Sequence, residues 1–271
     1  MRSADSSEDR TVDDFGHQWS HFPNPSDAFH SSELILMDTL QGLFDPRHLK
    51  GKRVIEIGAG SGRVLEMLRK FDPSELVGVE PSTNALTLAS RFAADPIVKI
   101  VHADGTTPLS DEFDVCFIIG VLHHIPEPLP VLKNVREMLA DDGVLVVWVY
   151  GREGRVRIAV LAIQVLRVLT VRLPDRLLVF LSRCLARSMR LYGRVIAGLN
   201  WLNLPLRDYL DNVFLRCSKE KQVEIVFDQL NPQCARYYSR TELREQLVAA
   251  GFTEIRVAVR HNYSITAVGS C

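Results

Sequence analysis

The stretch VIEIGAGSGRVLEML, residues 54–68, decides the fold. Its first four residues are typical of a strand buried inside a parallel sheet, and helical apolar spacing begins at Val64. Between them, Gly58, Gly60 and Gly62 let the backbone turn sharply and approach a ligand at van der Waals distance, which a Cβ would prevent. The N–H groups at the start of the following helix can then face an electron-rich ligand.

The spacing of these glycines narrows the choice of ligand. A glycine-rich turn between a strand and a helix is shared by nicotinamide, flavin and S-adenosylmethionine binders. The loop here reads GxGxG rather than the GxGxxG of dinucleotide binders, because Arg63 follows Gly62. The shorter loop requires no pyrophosphate cradle. Glu56, an acid inside the strand, suits a ligand that carries a positive amino group.

Three further predicted strands end in residues suited to ligand binding. Glu80 closes the segment LVGVE, where an acid can accept hydrogen bonds from two ribose hydroxyls, and Pro81 opens the next helix. Asp104 follows a third strand and can accept from an adenine amine, while Gly105 lets the ring lie close. The fourth strand, FDVCFII, ends at Gly120 and leads into VLHHIPEP.

Together, these residues resemble the class I S-adenosylmethionine-dependent methyltransferases, in particular the small-molecule branch that includes ubiquinone-pathway enzymes. The matching segments are VIEIGAGSGR, VGVEPS, VHADGTTPL, FDVCFIIGVLHHIPEP and LKNVREMLADDGVLVVWVYG, in the family's order across residues 54–151, and YYSRTELREQLVAAGFTEIRVA at residues 237–258. The resemblance implies S-adenosylmethionine as cofactor. It also implies an α/β fold: a doubly wound, Rossmann-like sheet of seven strands in the order 3-2-1-4-5-7-6, with the seventh antiparallel.

The resemblance and the residues together predict a set of cofactor contacts: Glu56, Gly58, Ala59, Gly60, Gly62, Glu80, Pro81, Asp104, Gly105 and Gly120. Trp19 joins this set because it lies in an aromatic cluster, FGHQWSHF, that precedes the core. Such a segment can cap the cofactor or simply pack on the domain, and both readings stay open.

His123 and His124 are the candidate catalytic residues. The sulfonium methyl group is already activated, so the enzyme must mainly align a nucleophile and exclude water. Histidine titrates near neutral pH and can take a hydroxyl proton, and we favour His124 over His123 for this role. The alternative is that the pair only braces the loop. Oxygen methylation is favoured, with nitrogen and carbon acceptors open, and a catalytically silent relative that binds the cofactor and scaffolds a partner is the second function class.

Composition is that of an ordinary globular enzyme. The 271 residues carry a formal charge of −1, which gives no general attraction to nucleic acid. The five cysteines form no close pairs and are odd in number, so we expect reduced thiols in the cytoplasm, with neither a disulfide framework nor a metal site. The polar residues 1–14 contain no hydrophobic signal core.

We predict four regions along the chain. Residues 1–45 form an N-terminal extension and capping helix, and residues 46–151 form the cofactor-binding core. Residues 152–236 are a helical insert that acts as a lid or substrate subdomain. Residues 237–271 add a helix and strands that complete the core.

The insert departs furthest from a minimal methyltransferase. Residues 155–173 are apolar nearly all round, but the run is too short and interrupted for a membrane span. The next helix has an apolar face comprising Leu178, Leu181, Leu185, Met189, Tyr192 and Ile196, and a basic face comprising Arg176, Arg183, Arg187, Arg190 and Arg194. The basic face can be a solvated surface, an interfacial helix on anionic lipid or part of a lid. We predict a lid that selects a small-molecule acceptor, with peripheral membrane contact less favoured and nucleic acid not expected.

Overall fold

The computed structural model describes residues 27–154, 156–197, 204–232 and 234–271. Trp19 and its aromatic cluster lie outside these residues. The strands of the described chain are β1 (Arg53–Ile57), β2 (Glu75–Val79), β3 (Val98–Val101), β4 (Phe113–Ile119), β5 (Leu139–Tyr150), β6 (Thr253–Arg260) and β7 (Ser264–Ser270). Its α-helices are α1 (Glu33–Leu40), α2 (Arg63–Arg69), α3 (Asn84–Arg91), α4 (Pro128–Met138), α5 (Val156–Thr170), α6 (Asp175–Ala197), α7 (Arg207–Asn212), α8 (Lys219–Leu230) and α9 (Arg240–Ala249).

The strands form a single seven-stranded sheet in the order β3-β2-β1-β4-β5-β7-β6. The first five strands in this order pair in parallel, and β7 runs antiparallel to both β5 and β6. The predicted strand order and the antiparallel seventh strand are therefore confirmed. The chain reverses its direction of winding between β1 and β4, and ligands of open α/β sheets bind outside the carboxyl ends of the strands at such a point.

Both faces of the sheet are buried. Alternate residues of β1 belong to different cores: Val54 belongs to the core that includes residues of α2 and α6, whereas Ile55 belongs to the core that includes residues of α4 and α9. This explains why the central strands read as continuous apolar runs rather than as alternating patterns. Packing on both faces of the sheet also holds the carboxyl ends of β1, β2 and β4 side by side at one edge.

The insert leaves and rejoins the core at one place. The backbone N–H of Tyr238 donates to the carbonyl of Tyr150 (2.9 Å), and the N–H of Arg152 donates back to the carbonyl of Tyr238 (3.0 Å). Helices α5 to α8 lie between these two points in the sequence. They therefore form a unit that is held at both ends to the end of β5.

Arg167 of α5 fastens the insert internally. Its guanidinium donates to the carbonyl of Gln229 (3.0 and 2.8 Å) and to that of Ala235 (2.9 Å). Thr170 also donates, to the carbonyl of Leu230 (2.9 Å). The carbonyls of Gln229 and Leu230 lie at the end of α8, where carbonyls have no partner within their own helix and carry partial negative charge. This buried arginine is thus a structural clamp between α5 and α8.

The predicted apolar face of α6 is the inner one: Leu178 and Ile196 are buried, and the residues between them on that face are half-buried. Arg183, Arg187 and Arg194 are exposed on the opposite side. Among the helices of the described ranges, none is long and apolar enough to cross a membrane. All five cysteines are free thiols.

Candidate active site

A cavity of about 1060 Å³ opens along the carboxyl edge of the sheet. One wall is built by the loops that follow β1, β2, β3 and β4. The other wall is built by the inner faces of α5, α6 and α8, so the cavity runs from the glycine loop into the insert. Its volume is of the order of the pockets that hold cofactors and other ligands in proteins.

The glycine loop between β1 and α2 has a backbone conformation and close contacts that do not suit residues with a Cβ atom. Gly58, Gly60 and Gly62 have φ angles of +76°, +54° and +74°, in the left-handed region that favours glycine. A Cβ on Gly58 would lie 2.4 Å from a methyl carbon of Val121, and one on Gly62 would lie 2.8 Å from a methyl carbon of Leu88. The close contact of Gly58 with Val121 lets the loop pack against the end of β4. The close contact of Gly62 with Leu88 lets α2 pack against α3.

Glu80 ties the glycine loop to the end of β2. One carboxylate oxygen accepts from the N–H of Gly60 (2.7 Å), and the other accepts from the N–H (3.0 Å) and the hydroxyl (2.5 Å) of Ser82. An ionised carboxylate has about four acceptor positions, so little capacity remains for a ligand. Accepting from both hydroxyls of a ribose would therefore require Ser82 to turn away.

The loop after β3 is held in place around Gly105. A Cβ on this glycine would lie 2.9 Å from a methyl carbon of Ile57, and Asn134 of α4 donates to its carbonyl (2.8 Å). Asp104 is exposed and accepts from the N–H (2.7 Å) and the hydroxyl (2.5 Å) of Thr106. These bonds lower the pKa of Asp104, so an ionised carboxylate stands at this side of the cavity.

Two groups beside the glycine loop complement a zwitterion. Glu56 is 1% exposed, and its Oε2 atom has no hydrogen-bond partner within the described chain. Burial raises the pKa of Glu56 well above its ordinary value, against the opposing effect of Arg63. The Arg63 guanidinium donates to the carbonyl of His30 (3.0 Å), and it also lines the cavity. A ligand that carries both an ammonium and a carboxylate group could place the ammonium beside Glu56 and the carboxylate beside Arg63.

An ion pair on α8 of the insert also lines the cavity. Lys221 and Glu224, one turn apart on α8, are 2.6 Å apart, and both side chains are nearly buried. Burial raises the pKa of Glu224, and the ammonium of Lys221 opposes that rise. No motif in the sequence indicated these two residues. Their i,i+3 spacing on a helix is the signal that could have placed them on one face.

His124 lines the cavity, and one hydrogen bond defines the tautomer of its ring. Its Nδ1 atom lies 2.8 Å from the carbonyl oxygen of Cys234. A carbonyl can only accept, so Nδ1 carries the proton and the neutral ring has its lone pair on Nε2. Burial lowers the pKa of His124, while the charge of Asp228 opposes this effect. The neutral form is therefore the one present near pH 7.

His123 does not line the cavity. It is fully buried, with its ring centroid 3.8 Å from that of Tyr150 and 4.1 Å from that of His124. Neither ring nitrogen has a hydrogen-bond partner among the residues described, and burial lowers the pKa of His123 well below its ordinary value. Since the ring packs inside the core, we withdraw it as a candidate base.

The far end of the cavity joins β5 to α8. The Tyr150 hydroxyl donates to Oδ2 of Asp228, and the Tyr237 hydroxyl donates to Oε1 of Gln229 (2.6 Å). Burial, together with the charge of Asp228, raises the pKa of Tyr150 well above its ordinary value, so this hydroxyl stays protonated. Other rings that line this end are Trp148, Tyr209 and Tyr263.

The cavity brings together most of the predicted residues. Those that line it are Glu56, Gly58, Ala59, Gly60, Glu80, Pro81, Asp104, Gly105, Gly120 and His124. Gly62 does not line it, because its place at the start of α2 serves the turn and the packing of the helix. The arginines of the basic face of α6, among them Arg183, Arg187 and Arg190, do not line the cavity. Arg190 instead donates to Gln222 (2.8 Å).

A family model for a methyltransferase domain matches residues 27–257. The chain belongs to this family. It is a class I S-adenosylmethionine-dependent methyltransferase, and S-adenosylmethionine is its cofactor. The predictions of family, enzyme class and cofactor are confirmed.

Curated relatives match part of this methyltransferase. The tRNA U34 carboxymethyltransferase of Campylobacter lari is 31% identical over 103 residues, which cover 36% of this chain and 35% of that protein. The ubiquinone biosynthesis O-methyltransferase of Azorhizobium caulinodans is 28% identical over 110 residues, which cover 39% of this chain and 43% of that protein. The chain thus spans less than half the length of these relatives.

Solved structures support the same fold. The S-adenosylmethionine-dependent methyltransferase from Mesorhizobium loti superposes with a TM-score of 0.50 at 13% identity, covering 86% of this chain and 95% of that one. A methyltransferase that depends on the same cofactor, from Aquifex aeolicus, also gives a TM-score of 0.50, at 14% identity over 94% and 97% of the two chains. At such low identity this likeness concerns the fold alone.

Proposed function

We propose that the methyltransferase transfers a methyl group to the oxygen of a small, largely apolar acceptor bound between the core and the insert. The observation that carries this proposal is the single cavity that connects the glycine loop with the Tyr150–Asp228 end. Apolar side chains of the insert line much of it, among them Val160, Ile163 and Met189. A site enclosed by apolar side chains, with a few polar groups, suits a small molecule.

The cofactor fits the end of the cavity at the glycine loop. The missing Cβ atoms of Gly58 and Gly105 let Val121 and Ile57 pack closely against the two loops, and both loops line the cavity. Glu80 and Asp104 would accept from the ribose and the adenine amine. Glu56 and Arg63 would receive the ammonium and the carboxylate of the methionyl part. When bound, the sulfonium supplies an activated methyl group, and the protein must position the acceptor and exclude water.

His124 is the proton acceptor in this proposal. Its Nδ1–H is committed to the carbonyl of Cys234, which leaves Nε2 as the basic atom. The same carbonyl and the charge of Asp228 stabilise the protonated ring after it has taken the hydroxyl proton. An oxygen acceptor needs such a base more than a neutral amine does, since the lone pair of a neutral amine is already a good nucleophile, whereas a hydroxyl becomes one only as it loses its proton.

A cationic amine is the second candidate acceptor. The rings of Trp148, Tyr150 and Tyr209 lie at the same end of the cavity as the Asp228 carboxylate, and this combination also attracts ammonium groups. An amine acceptor must lose a proton before transfer, so it would share the need for His124. The product distinguishes the two, because methylation then occurs at nitrogen.

The alternative functions predict different results in an assay of methyl transfer. A catalytically silent relative would bind the cofactor without forming product, and the similarity to tRNA carboxymethyltransferases makes tRNA a necessary control. We propose the cytoplasm as the compartment, which the five free thiols support.

The proposal is tested with S-adenosylmethionine labelled in its methyl group and three acceptor panels: apolar phenols and alcohols, amines, and bulk tRNA. We expect label in the hydroxylated panel. Calorimetry on the same preparation should show binding of S-adenosylmethionine but not of nicotinamide dinucleotides. Glu80→Ala should weaken cofactor binding by ~1–3 kcal/mol through loss of hydrogen bonds to a charged group. Label in tRNA alone, or cofactor binding without any product, would overturn the proposal.

A further inference from the structure

The outer face of α5 is apolar and is exposed among the residues that the structure describes. Its large side chains Ile158, Leu161, Val165, Val168 and Leu169 are each between 62% and 71% exposed. The helix buries its opposite face, including Val156 and Val160, against the core. A helix that is apolar on all sides is normally buried on all sides. The exposed half of α5 therefore lacks a partner within the part of the chain that the structure describes.

The outer face of α6 combines apolar and basic side chains. Leu177, Phe180, Leu191 and Val195 are exposed there, and Arg176, Arg183, Arg187 and Arg194 stand beside them on the same outward side. Long arginine side chains can lie along apolar surface while their guanidinium groups reach outward. This is the pattern of a helix that lies at the boundary between hydrocarbon and lipid headgroups.

This exposure is concentrated in one part of the molecule. Of the thirteen large apolar side chains that are exposed in the described chain, nine lie on α5 and α6. Contiguous apolar surface of this kind marks an interaction site. The segment should therefore contact a partner that offers both an apolar layer and a complementary charge.

The charge of the segment indicates an anionic partner. Residues 156–197 contain eight arginines and one acid, Asp175, whereas the whole chain carries a formal charge of −1. Their formal charge of +7 must then be balanced by an acidic remainder. Six of the eight arginines are exposed, since Arg167 is buried and Arg190 is half-buried. The basic residues are thus gathered on the face that carries the exposed apolar side chains.

These observations favour a lipid surface over other partners. A second copy of the chain, packed face to face, would bring arginines against arginines with only one acid per segment to offset them. RNA would pair with the arginines, but it would leave the exposed leucines and valines without an apolar environment. An anionic bilayer offers headgroup phosphates and hydrocarbon at adjacent depths, and so complements both kinds of side chain.

We propose that the outer faces of α5 and α6 dock on the surface of an anionic lipid bilayer, with the apolar side chains inserted at the level of the headgroups. The sequence alone made membrane contact the less favoured prediction, because it did not show that apolar side chains remain exposed beside the arginines of α6 and on the outer face of α5. The inner faces of the same helices line the cavity through Ile163, Leu166 and Met189. Docking would thus place the wall of the acceptor cavity against the membrane.

The experiment is co-sedimentation of the full chain with vesicles of phosphatidylcholine alone or mixed with phosphatidylglycerol, at low and high salt. We expect binding to the anionic vesicles that weakens with salt. The triple variant R183Q/R187Q/R194Q should lower the partition coefficient on the order of a hundredfold, from three basic residues near the surface. The triple variant L161Q/V165Q/V168Q should also abolish most binding, whereas K50Q/K133Q/R244Q, exposed residues outside the insert, should alter it little.

Vesicle binding needs neither cofactor nor turnover, so its outcome is separate from that of the proposed reaction. Calorimetry with S-adenosylmethionine shows whether each variant has kept its fold. The proposal is overturned if no vesicles bind, if neutral and anionic vesicles bind equally, or if the control triple loses as much binding as the α6 triple. Sedimentation that finds a stable dimer lost in the α5 variant would assign the face to a second copy. Competition by RNA with no vesicle binding would assign it to nucleic acid.

Discussion

The hydroxyl of Tyr150, the last residue of β5, donates a hydrogen bond to the carboxylate of Asp228 in α8. It joins the core to the insert at the end of the cavity opposite the glycine loop. The Asp228 carboxylate also raises the pKa of His124, against the lowering caused by burial. The position of one acid in the insert therefore sets how readily the candidate base in the core takes a proton.

Replacing this acid should move the pH profile of methyl transfer. In Asp228→Asn the negative charge is lost, so the pKa of His124 falls further and the acid limb of kcat/KM shifts to lower pH. Tyr150→Phe is the matched control, because it removes the hydrogen bond and keeps the charge, so its limb should stay near that of the wild type. A limb at the same pH in wild type and Asp228→Asn would show that the two residues are not coupled.

His124→Gln tests the base directly. Turnover should fall by ~10²–10⁴-fold, the usual contribution of a general base, while the dissociation constant of S-adenosylmethionine is unchanged. The acid limb, which in the wild type lies below the ordinary histidine pKa of 6.5, should disappear. His123→Gln should keep the limb in place because His123 lies outside the cavity. Full activity in His124→Gln would leave methyl transfer to positioning alone.

His123 should affect the pH dependence of the free energy of unfolding rather than catalysis. Its pKa is lowered well below 6.5 in the folded protein, so below that pH the unfolded chain binds a proton that the folded chain does not. Stability is thus fully present above pH 6.5 and falls as the pH drops toward the folded pKa. His123→Gln should reduce this fall by about 1.4 kcal/mol per pH unit. Urea unfolding between pH 7 and pH 5 measures it, with exposed His48→Gln as the control, and equal slopes in wild type and His123→Gln would contradict the argument.

Cofactor binding should release a proton from Glu56. Burial without a partner for Oε2 raises the pKa of this carboxyl, and an ammonium group placed beside it would lower that pKa again. Calorimetric titration with S-adenosylmethionine in two buffers of different ionisation enthalpy reports the protons released. The buffer dependence should vanish in Glu56→Gln, and the affinity should fall. A dependence that persists unchanged in this variant would place the proton elsewhere.

Much of the fold was predictable because its signals are local and ordered. The glycine loop and the acid after β2 follow from short segments in a fixed succession. The strand order was implied by the family resemblance that these segments carry, and the structure confirms the sheet. The insert carries no such segments. The spacing of Asp228, Lys221 and Glu224 could place them on one face of α8, but no spacing in the sequence shows that this face packs against the cavity.

Burial explains the remaining differences. His123 and His124 are neighbours of the same type in one turn of 3₁₀-helix, yet one ring packs in the core and the other lines the cavity. Arg167 and Arg183 likewise occur in similar apolar contexts, but only the first turns inward to the carbonyls of α8. Sequence periodicity showed the inner face of α6, whereas the exposed apolar side chains beside its arginines became evident only from the packing.

The central claim is that the acceptor lies between the core and the insert, and Ala159→Phe tests it most directly. Ala159 is on the α5 wall of the cavity, away from the glycine loop, so a phenyl ring there should fill the acceptor space and leave the cofactor space open. The measurement is kcat/KM for labelled methyl transfer to the best hydroxylated acceptor, together with the dissociation constant of S-adenosylmethionine. We predict a loss of at least about tenfold in kcat/KM, equivalent to ~1.4 kcal/mol, with cofactor affinity unchanged. An unchanged kcat/KM in a variant that still binds the cofactor would contradict the claim.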